Sequence, residues 1–254
     1  MNHHQPRGLC RRRVRELLST TNCNGSSGSR VDVLSRQFLG IAYKSNPLVG
    51  SANTSEVFTA SIDGFDCVTY IETILALALS SNVDDFVEWL RKIRYDQGCI
   101  RWDRRNHYMT SWIRNNVRQG IIRPVSMPDV PIHTRERVLN VVPGLAIRRV
   151  RIKCVPKRAM PRLRAHLQSG DLIFFVSTRK NLDVFHAGIV VCDSKGMLIR
   201  HASRSQHIVV EQELSEFLQT NRMAGVIVMR PQDPIERPLL VAKDDSFVYG
   251  ANSA

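Results

Sequence analysis

The sequence predicts an α+β fold, with helices in the N-terminal half and antiparallel strands in the C-terminal half. Apolar residues recur at helical spacing before residue 120, and one run is apolar on nearly all sides. After residue 170 the chain breaks into short Val-, Ile- and Phe-rich runs separated by turn residues. At 254 residues and 43% hydrophobic content, the chain is long enough for one sizeable core.

Each element follows in order. Residues 1–30 read as a basic flexible arm and linker. The arm carries Arg7, Arg11, Arg12, Arg13 and Arg15, and residues 20–30 (TTNCNGSSGSR) have linker composition. The folded domain is expected over 31–230. A tail over 231–254 opens with the structure-breaking PQDPIERP. Within the domain, Val33, Leu34, Phe38, Leu39, Ile41 and Ala42 predict a helix over 32–43. Over 67–79, Val68, Ile71, Leu75 and Leu79 form one stripe, with Ile74, Ala76, Leu77 and Ala78 around it. That predicts a buried central helix. Asn82 is a suitable N-cap, with Asp84 and Asp85 in the first turn, for a helix to about residue 94. A further helix is expected over 110–117. Strands are expected over 171–177, 185–192, 197–201, 207–210 and 225–229, with a hairpin turn at 193–196.

Charge and cysteine content narrow the function classes. Lys plus Arg is 36 and Asp plus Glu is 23, a formal net charge of +13. Such a chain attracts polyanions and anionic surfaces. Its arginines are scattered and no standard nucleic-acid motif is present, so no nucleic-acid partner is expected. The six cysteines include no CxxC pair and no zinc-like Cys/His spacing, which predicts mostly reduced thiols and no metal. The first thirty residues lack the apolar stretch of a secretory signal, and the longest apolar run, 71–79, is too short to cross a membrane. The expected location is therefore the cytoplasm, or outside it by a signal-independent route, unless the start of the chain is trimmed.

The chemistry concentrates at three residues. Cys67 follows a glycine turn at Gly64 and opens the buried helix. A helix N-terminus stabilises a thiolate, which would lower the thiol pKa below its free value of ~8.5. The same N–H groups suit an oxyanion. By position alone, Cys67 reads equally well as a small buried hydrophobe. His186 starts a strand and is followed by the small residues Ala187 and Gly188; His201 ends the next strand. The hairpin would bring both histidines to one end and allow a relay from Cys67 through His186 to His201. Asp66, beside the thiol, would raise its pKa, so Asp66 reads as a cap or a loop contact. Thr69 and Glu72 read as satisfying local hydrogen bonds. Arg105, Asn106, His107 and Tyr108 form a second cluster, in a loop, which reads on its own as solvated.

The ordered motifs resemble those of the NlpC/P60 cysteine peptidases, papain-like bacterial cell-wall hydrolases: GIAY at 40–43, GFDC at 64–67, GDLIFF at 170–175, HAGI at 186–189 and HAS at 201–203. The strings DGFDCVTYIET at 63–73, IRY at 93–95 and RNHYM at 105–109 are similar to a branch called DUF1460 and later described as N-acetylmuramoyl-L-alanine amidases. The resemblance spans about 31–230 and implies a papain-like fold, a central helix packed on an antiparallel sheet. It implies that Cys67 attacks the lactyl–L-alanine amide of peptidoglycan fragments or cell wall, that His186 carries the proton, and that His201 orients His186. It implies that Tyr43 sits beside the nucleophile and helps to bind the oxyanion, and that no cofactor or metal is used. It also implies that Arg105, Asn106, His107 and Tyr108 line the substrate pocket, with Arg105 gripping a substrate carboxylate. His107 competes as a base but ranks below His186. The alternatives are a peptidoglycan endopeptidase or other cysteine acyl-hydrolase of the same fold, and a non-catalytic binding module for acidic polymers. The complete set of Cys67, His186 and His201 favours an enzyme.

Overall fold

Val14 and Leu17, three residues apart, are buried on the inner face of helix α1 (Arg11–Ser19), while Arg12, Arg13 and Arg15 face outward. The protein is described by a computed structural model over residues 6–21, 25–194 and 196–233. Helix α1 corrects the expectation of a flexible arm: two apolar residues on one face dock it on the core, and Arg11 holds Asp84 at 2.9 Å. Composition hid this because so narrow a stripe is swamped by the arginines around it. Residues 22–24 of the expected linker and 234–254 of the expected tail lie outside the described residues.

Helix α2 (Ser27–Arg36) begins inside the expected linker, where the Ser26 side chain accepts from the Ser29 N–H at 3.2 Å. The Ser27 hydroxyl donates to Asp233 at 2.7 Å and ties this end to the last described residue. The helix stops well short of residue 43. Gly40, at φ +83°, turns the chain, and residues 41–43 run extended, with the Tyr43 N–H on the His207 carbonyl at 2.8 Å. A short polar hairpin of β1 (Val49–Ser51) and β2 (Thr54–Val57) follows; it carries no alternating apolar signal.

Helix α3 (Cys67–Ala78) is the expected central helix: from Thr69 to Ala78 every residue is buried. Asp66 caps it, accepting from the Val68 and Thr69 N–H groups at 3.1 and 2.8 Å while the Thr69 hydroxyl accepts from the Asp66 N–H. Helix α4 (Val83–Arg94) starts at Asn82, whose side chain accepts from Asp84 and Asp85, and α5 (Met109–Arg118) extends the helix expected at 110–117 by one residue at each end. Glu72 reaches beyond its own helix, holding Arg94 of α4 at 2.7 Å and accepting from Trp112 of α5 at 3.1 Å. That buried pair ties three helices together, where only local bonds were expected.

The chain then enters β3 (Ile122–Pro124) and a separate ribbon of β4 (His133–Leu139) and β5 (Arg148–Cys154), followed by the short α6 (Met160–Leu163). The ribbon was not foreseen, because its arginines read as scattered surface charge. The expected strands follow as β6 (Leu172–Val176), β7 (Val184–Asp193), β8 (Gly196–Ser203) and β9 (Ile208–Glu213). Helix α7 (Leu214–Thr220) and β10 (Gly225–Pro231) complete the described chain. The main sheet has the order β3-β10-β6-β7-β8-β9, and every neighbouring pair is antiparallel. The β7–β8 hairpin closes with Asp193 opposite Gly196, as the turn residues predict. Helix α3 packs against β7 and β8. Arg200 of β8, fully buried, locks α2 and β9 to the sheet through Asp32 at 3.0 Å and Glu211 at 2.9 Å. The fold is α+β, with its helices on an antiparallel sheet, as predicted. Among the described residues no helix is long and apolar enough to cross a membrane.

Candidate functional site

Cys67 occupies the first turn of α3, where the chain enters the buried helix from Phe65 and Asp66. The preceding segment is fixed from both sides: Tyr43 bridges to Phe65, and the Phe65 N–H donates to the Ala42 carbonyl at 3.1 Å. The Tyr43 phenol lies close enough to feel the charges of Cys67 and Asp66, and its pKa is raised first by burial and then by those two groups.

The electrostatics of the thiol differ from the sequence expectation. Burial pushes the Cys67 thiol up to about 12, and the Asp66 carboxylate adds to the shift. The backbone N–H groups of Ala187, Cys67 and Val68 oppose it without reversing it. The helix N-terminus therefore does not outweigh burial, and the carboxylate of Asp66, which caps the helix through the Val68 and Thr69 N–H groups, adds to the rise. Those two donors are likewise engaged before any oxyanion could use them. The Ala187 N–H, one of the groups that act on the thiol, belongs to β7 and follows His186 in the chain.

His186 and His201 stand on adjacent strands, β7 and β8. Their rings meet edge to face with centroids 4.7 Å apart, and His186 Nε2 lies 2.7 Å from His201 Nδ1. His201 Nε2 lies 3.0 Å from Gln212 Oε1 on β9. The Gln212 carbonyl can only accept, so His201 carries its proton on Nε2. His201 Nδ1 is then bare and accepts from His186 Nε2–H. That leaves the lone pair of His186 on Nδ1, the nitrogen a base needs. Gln212 was missed from sequence. It sits two residues from Val210, the partner of His201, and so on the same face of the sheet, but this is visible only once the β8–β9 register is known.

The histidines are enclosed by phenylalanines. Phe217 of α7 stacks on His186 at 5.5 Å and meets His201 edge-on at 5.4 Å, and Phe175 of β6 stacks on His186 at 6.2 Å. Burial in this apolar box pushes His186 down to about 3, with His201 reinforcing the shift. Burial also lowers His201, against the bond to Gln212. The resting site is thus a neutral thiol and a neutral imidazole pair. Gly188 lets the strands close up here: a Cβ at that position would lie 2.7 Å from the Ile199 side chain.

The second predicted cluster is built into the scaffold. The Arg105 guanidinium reaches both Glu56 oxygens, at 3.0 and 3.1 Å, and Glu56 also accepts from Tyr95 at 2.7 Å. This pairing replaces the expected grip on a substrate carboxylate. Asn106 is buried; its amide donates to the Ile93 carbonyl and its oxygen accepts from Asn115 at 2.6 Å. His107 Nε2 lies 2.6 Å from the Trp102 carbonyl, which ties up the competing base. The buried Tyr108 hydroxyl accepts from the Val142 N–H at 3.2 Å. These four residues line a cleft with Ser111, Arg114, Arg118 and Arg148 that does not include Cys67, His186 or His201. Among the described residues no group of three or more His, Cys, Asp or Glu is placed to hold a metal ion.

The family described as N-acetylmuramoyl-L-alanine amidase-like matches residues 33–226. Among solved structures the chain is similar to an N-acetylmuramoyl-L-alanine amidase from Bacteroides uniformis. The two are 26% identical with a TM-score of 0.73, over 82% of this chain and 100% of that one. It also shares its fold with a Legionella pneumophila protein of the DUF1460 type, at 20% identity and a TM-score of 0.78, over 88% and 95% of the two chains. No curated protein matches the chain.

Proposed function

The chain belongs to the N-acetylmuramoyl-L-alanine amidase-like family, and on that premise we propose that it cleaves the amide between N-acetylmuramic acid and L-alanine with Cys67 as nucleophile. It is an enzyme of the amidase-like kind. Within that class the thiol chemistry is that of an NlpC/P60-type cysteine hydrolase, and peptidoglycan or its fragments are the substrate. The observation that carries this reading is the hydrogen-bonded row from His186 through His201 to Gln212 beside the Cys67 sulphur. Such a row orients a base and fixes its tautomer.

In this mechanism the lactyl carbonyl carbon binds beside Cys67. His186 Nδ1 takes the thiol proton as the sulphur attacks, because neither partner is charged beforehand. The oxyanion that forms accepts from the Cys67 backbone N–H and the Tyr43 hydroxyl, the donors that Asp66 leaves available. The imidazolium of His186 is stabilised through Nε2–H by His201. It then gives its proton to the nitrogen of L-alanine, the C–N bond breaks, and the peptide leaves with a free amine. Water, deprotonated by His186, attacks the thioester and releases the muramic carboxylate and the Cys67 thiol.

The test is incubation with N-acetylmuramoyl-L-alanyl peptides of increasing length, with products identified by mass spectrometry. Release of the whole peptide from muramic acid supports the reading. Cleavage within the peptide would keep the Cys/His chemistry and move the enzyme to the endopeptidases. No cleavage by folded, reduced protein would overturn it.

A further inference from the structure

We propose that the outer face of the β4–β5 ribbon docks on an anionic phospholipid surface. The ribbon stands apart from the main sheet as its own two-stranded unit. Its register pairs Thr134 with Lys153, Glu136 with Arg151 and Val138 with Arg149. Strand alternation puts these six on one face, with Arg137, Leu139, Ile152 and Cys154 turned to the buried side. The Val138 N–H donates to the Lys180 carbonyl at 3.0 Å, which sets the exposed Lys180 at the edge of the ribbon. The face thus carries Arg149, Arg151 and Lys153 against one acid, Glu136, which lies 3.4 Å from Arg151.

Charge alone would suit any polyanion, and the apolar residues decide between them. Ile147 is 69% exposed, and Val138 and Val141 are each 37% exposed. Ile147 is followed directly by Arg148 and Arg149, both exposed. An unpartnered isoleucine against arginines fits a lipid interface: the apolar group enters the acyl boundary while the guanidinium groups reach the phosphates. A single-stranded nucleic-acid surface would offer aromatic rings for stacking, and residues 133–154 contain no Phe, Tyr or Trp.

The test uses the full chain, sedimented with vesicles of phosphatidylcholine alone or mixed with phosphatidylglycerol. Binding to the mixed vesicles, weakening with salt, and none to phosphatidylcholine alone is the expected result. Ile147→Ser lies on the surface and leaves the core intact; it should weaken partitioning by about ten-fold. The triple variant Arg149→Gln, Arg151→Gln, Lys153→Gln should weaken it by about 100-fold. The control Arg12→Gln, Arg13→Gln on α1 should leave it unchanged. No binding to the mixed vesicles, equal loss in the α1 control, or full binding by Ile147→Ser with preference for a nucleic acid would each overturn the proposal.

Discussion

His186 Nε2 lies 2.7 Å from His201 Nδ1, and His201 Nε2 lies 3.0 Å from the carbonyl oxygen of Gln212. The direction of proton donation along this row is set at its far end, by a group that can only accept. His186→Ala should therefore abolish turnover, with a loss of ~10⁴-fold or more in kcat. His201→Ala should cost less, because it removes an orienting group and not the proton carrier. Gln212→Leu should cost less again, about 10-fold, because it frees the tautomer of His201 and leaves both imidazoles in place. Equal losses for His186→Ala and His201→Ala would argue against separate roles.

The thiol should be sluggish at neutral pH. With Cys67 pushed up to about 12 by burial and Asp66, site-resolved alkylation by iodoacetamide should find it slower than the exposed Cys10 and Cys99. Its rate should rise steadily toward alkaline pH. A plateau of fast alkylation between pH 5 and 7, the signature of a preformed thiolate–imidazolium pair, would contradict the neutral resting state.

Asp66 makes two contributions that a conservative variant separates. Asp66→Asn keeps an oxygen for the Val68 and Thr69 N–H groups and removes the negative charge beside the sulphur. Stability should change by less than the ~1 kcal/mol of a lost N-cap, while the alkylation profile of Cys67 shifts to lower pH. Asp66→Ala should lose the cap as well. An unchanged profile in Asp66→Asn would show that the carboxylate does not act on the thiol.

Acid should destabilise the fold through the buried histidines. His186 falls from its ordinary 6.5 to about 3 in the folded protein, so the unfolded chain binds more protons between those values. Stability therefore falls as pH drops through that window, by a few kcal/mol at most. His201 shifts in the same direction and adds to the loss. Urea unfolding of wild type and His186→Gln at pH 7 and pH 4 checks this. The variant should lose less stability on acidification, and an identical loss would contradict it.

The parts of the fold that announced themselves did so through periodicity. Helix α3 has apolar residues around its whole circumference, and β6 to β8 are compact runs of Val, Ile and Phe. Asn82 could be read as a cap because a helix start needs an acceptor there. Helix α1 and the β4–β5 ribbon escaped because arginine dominates both, and long charged side chains mask a narrow apolar face. At the site, Cys67, His186 and His201 were visible as residue types at element ends. Gln212 and Phe217 were not, since their roles depend on strand register and on how α7 folds back. The thiol pKa was misjudged for a related reason: the sequence shows a helix N-terminus with Asp66 beside it, but not how fully the folded chain takes the sulphur out of water. Arg105 looked like a carboxylate clamp and is one, except that its carboxylate is Glu56 of the same chain.

The nucleophile is tested most directly by trapping the acyl-enzyme. Wild type, mixed with an N-acetylmuramoyl-L-alanyl peptide and quenched in acid within a single turnover, should carry an N-acetylmuramoyl adduct on the peptide that contains Cys67, lost on longer incubation. Cys67→Ala should be folded, inactive and free of the adduct. Turnover by Cys67→Ala at the wild-type rate, or an adduct on another residue, would contradict the assignment of Cys67.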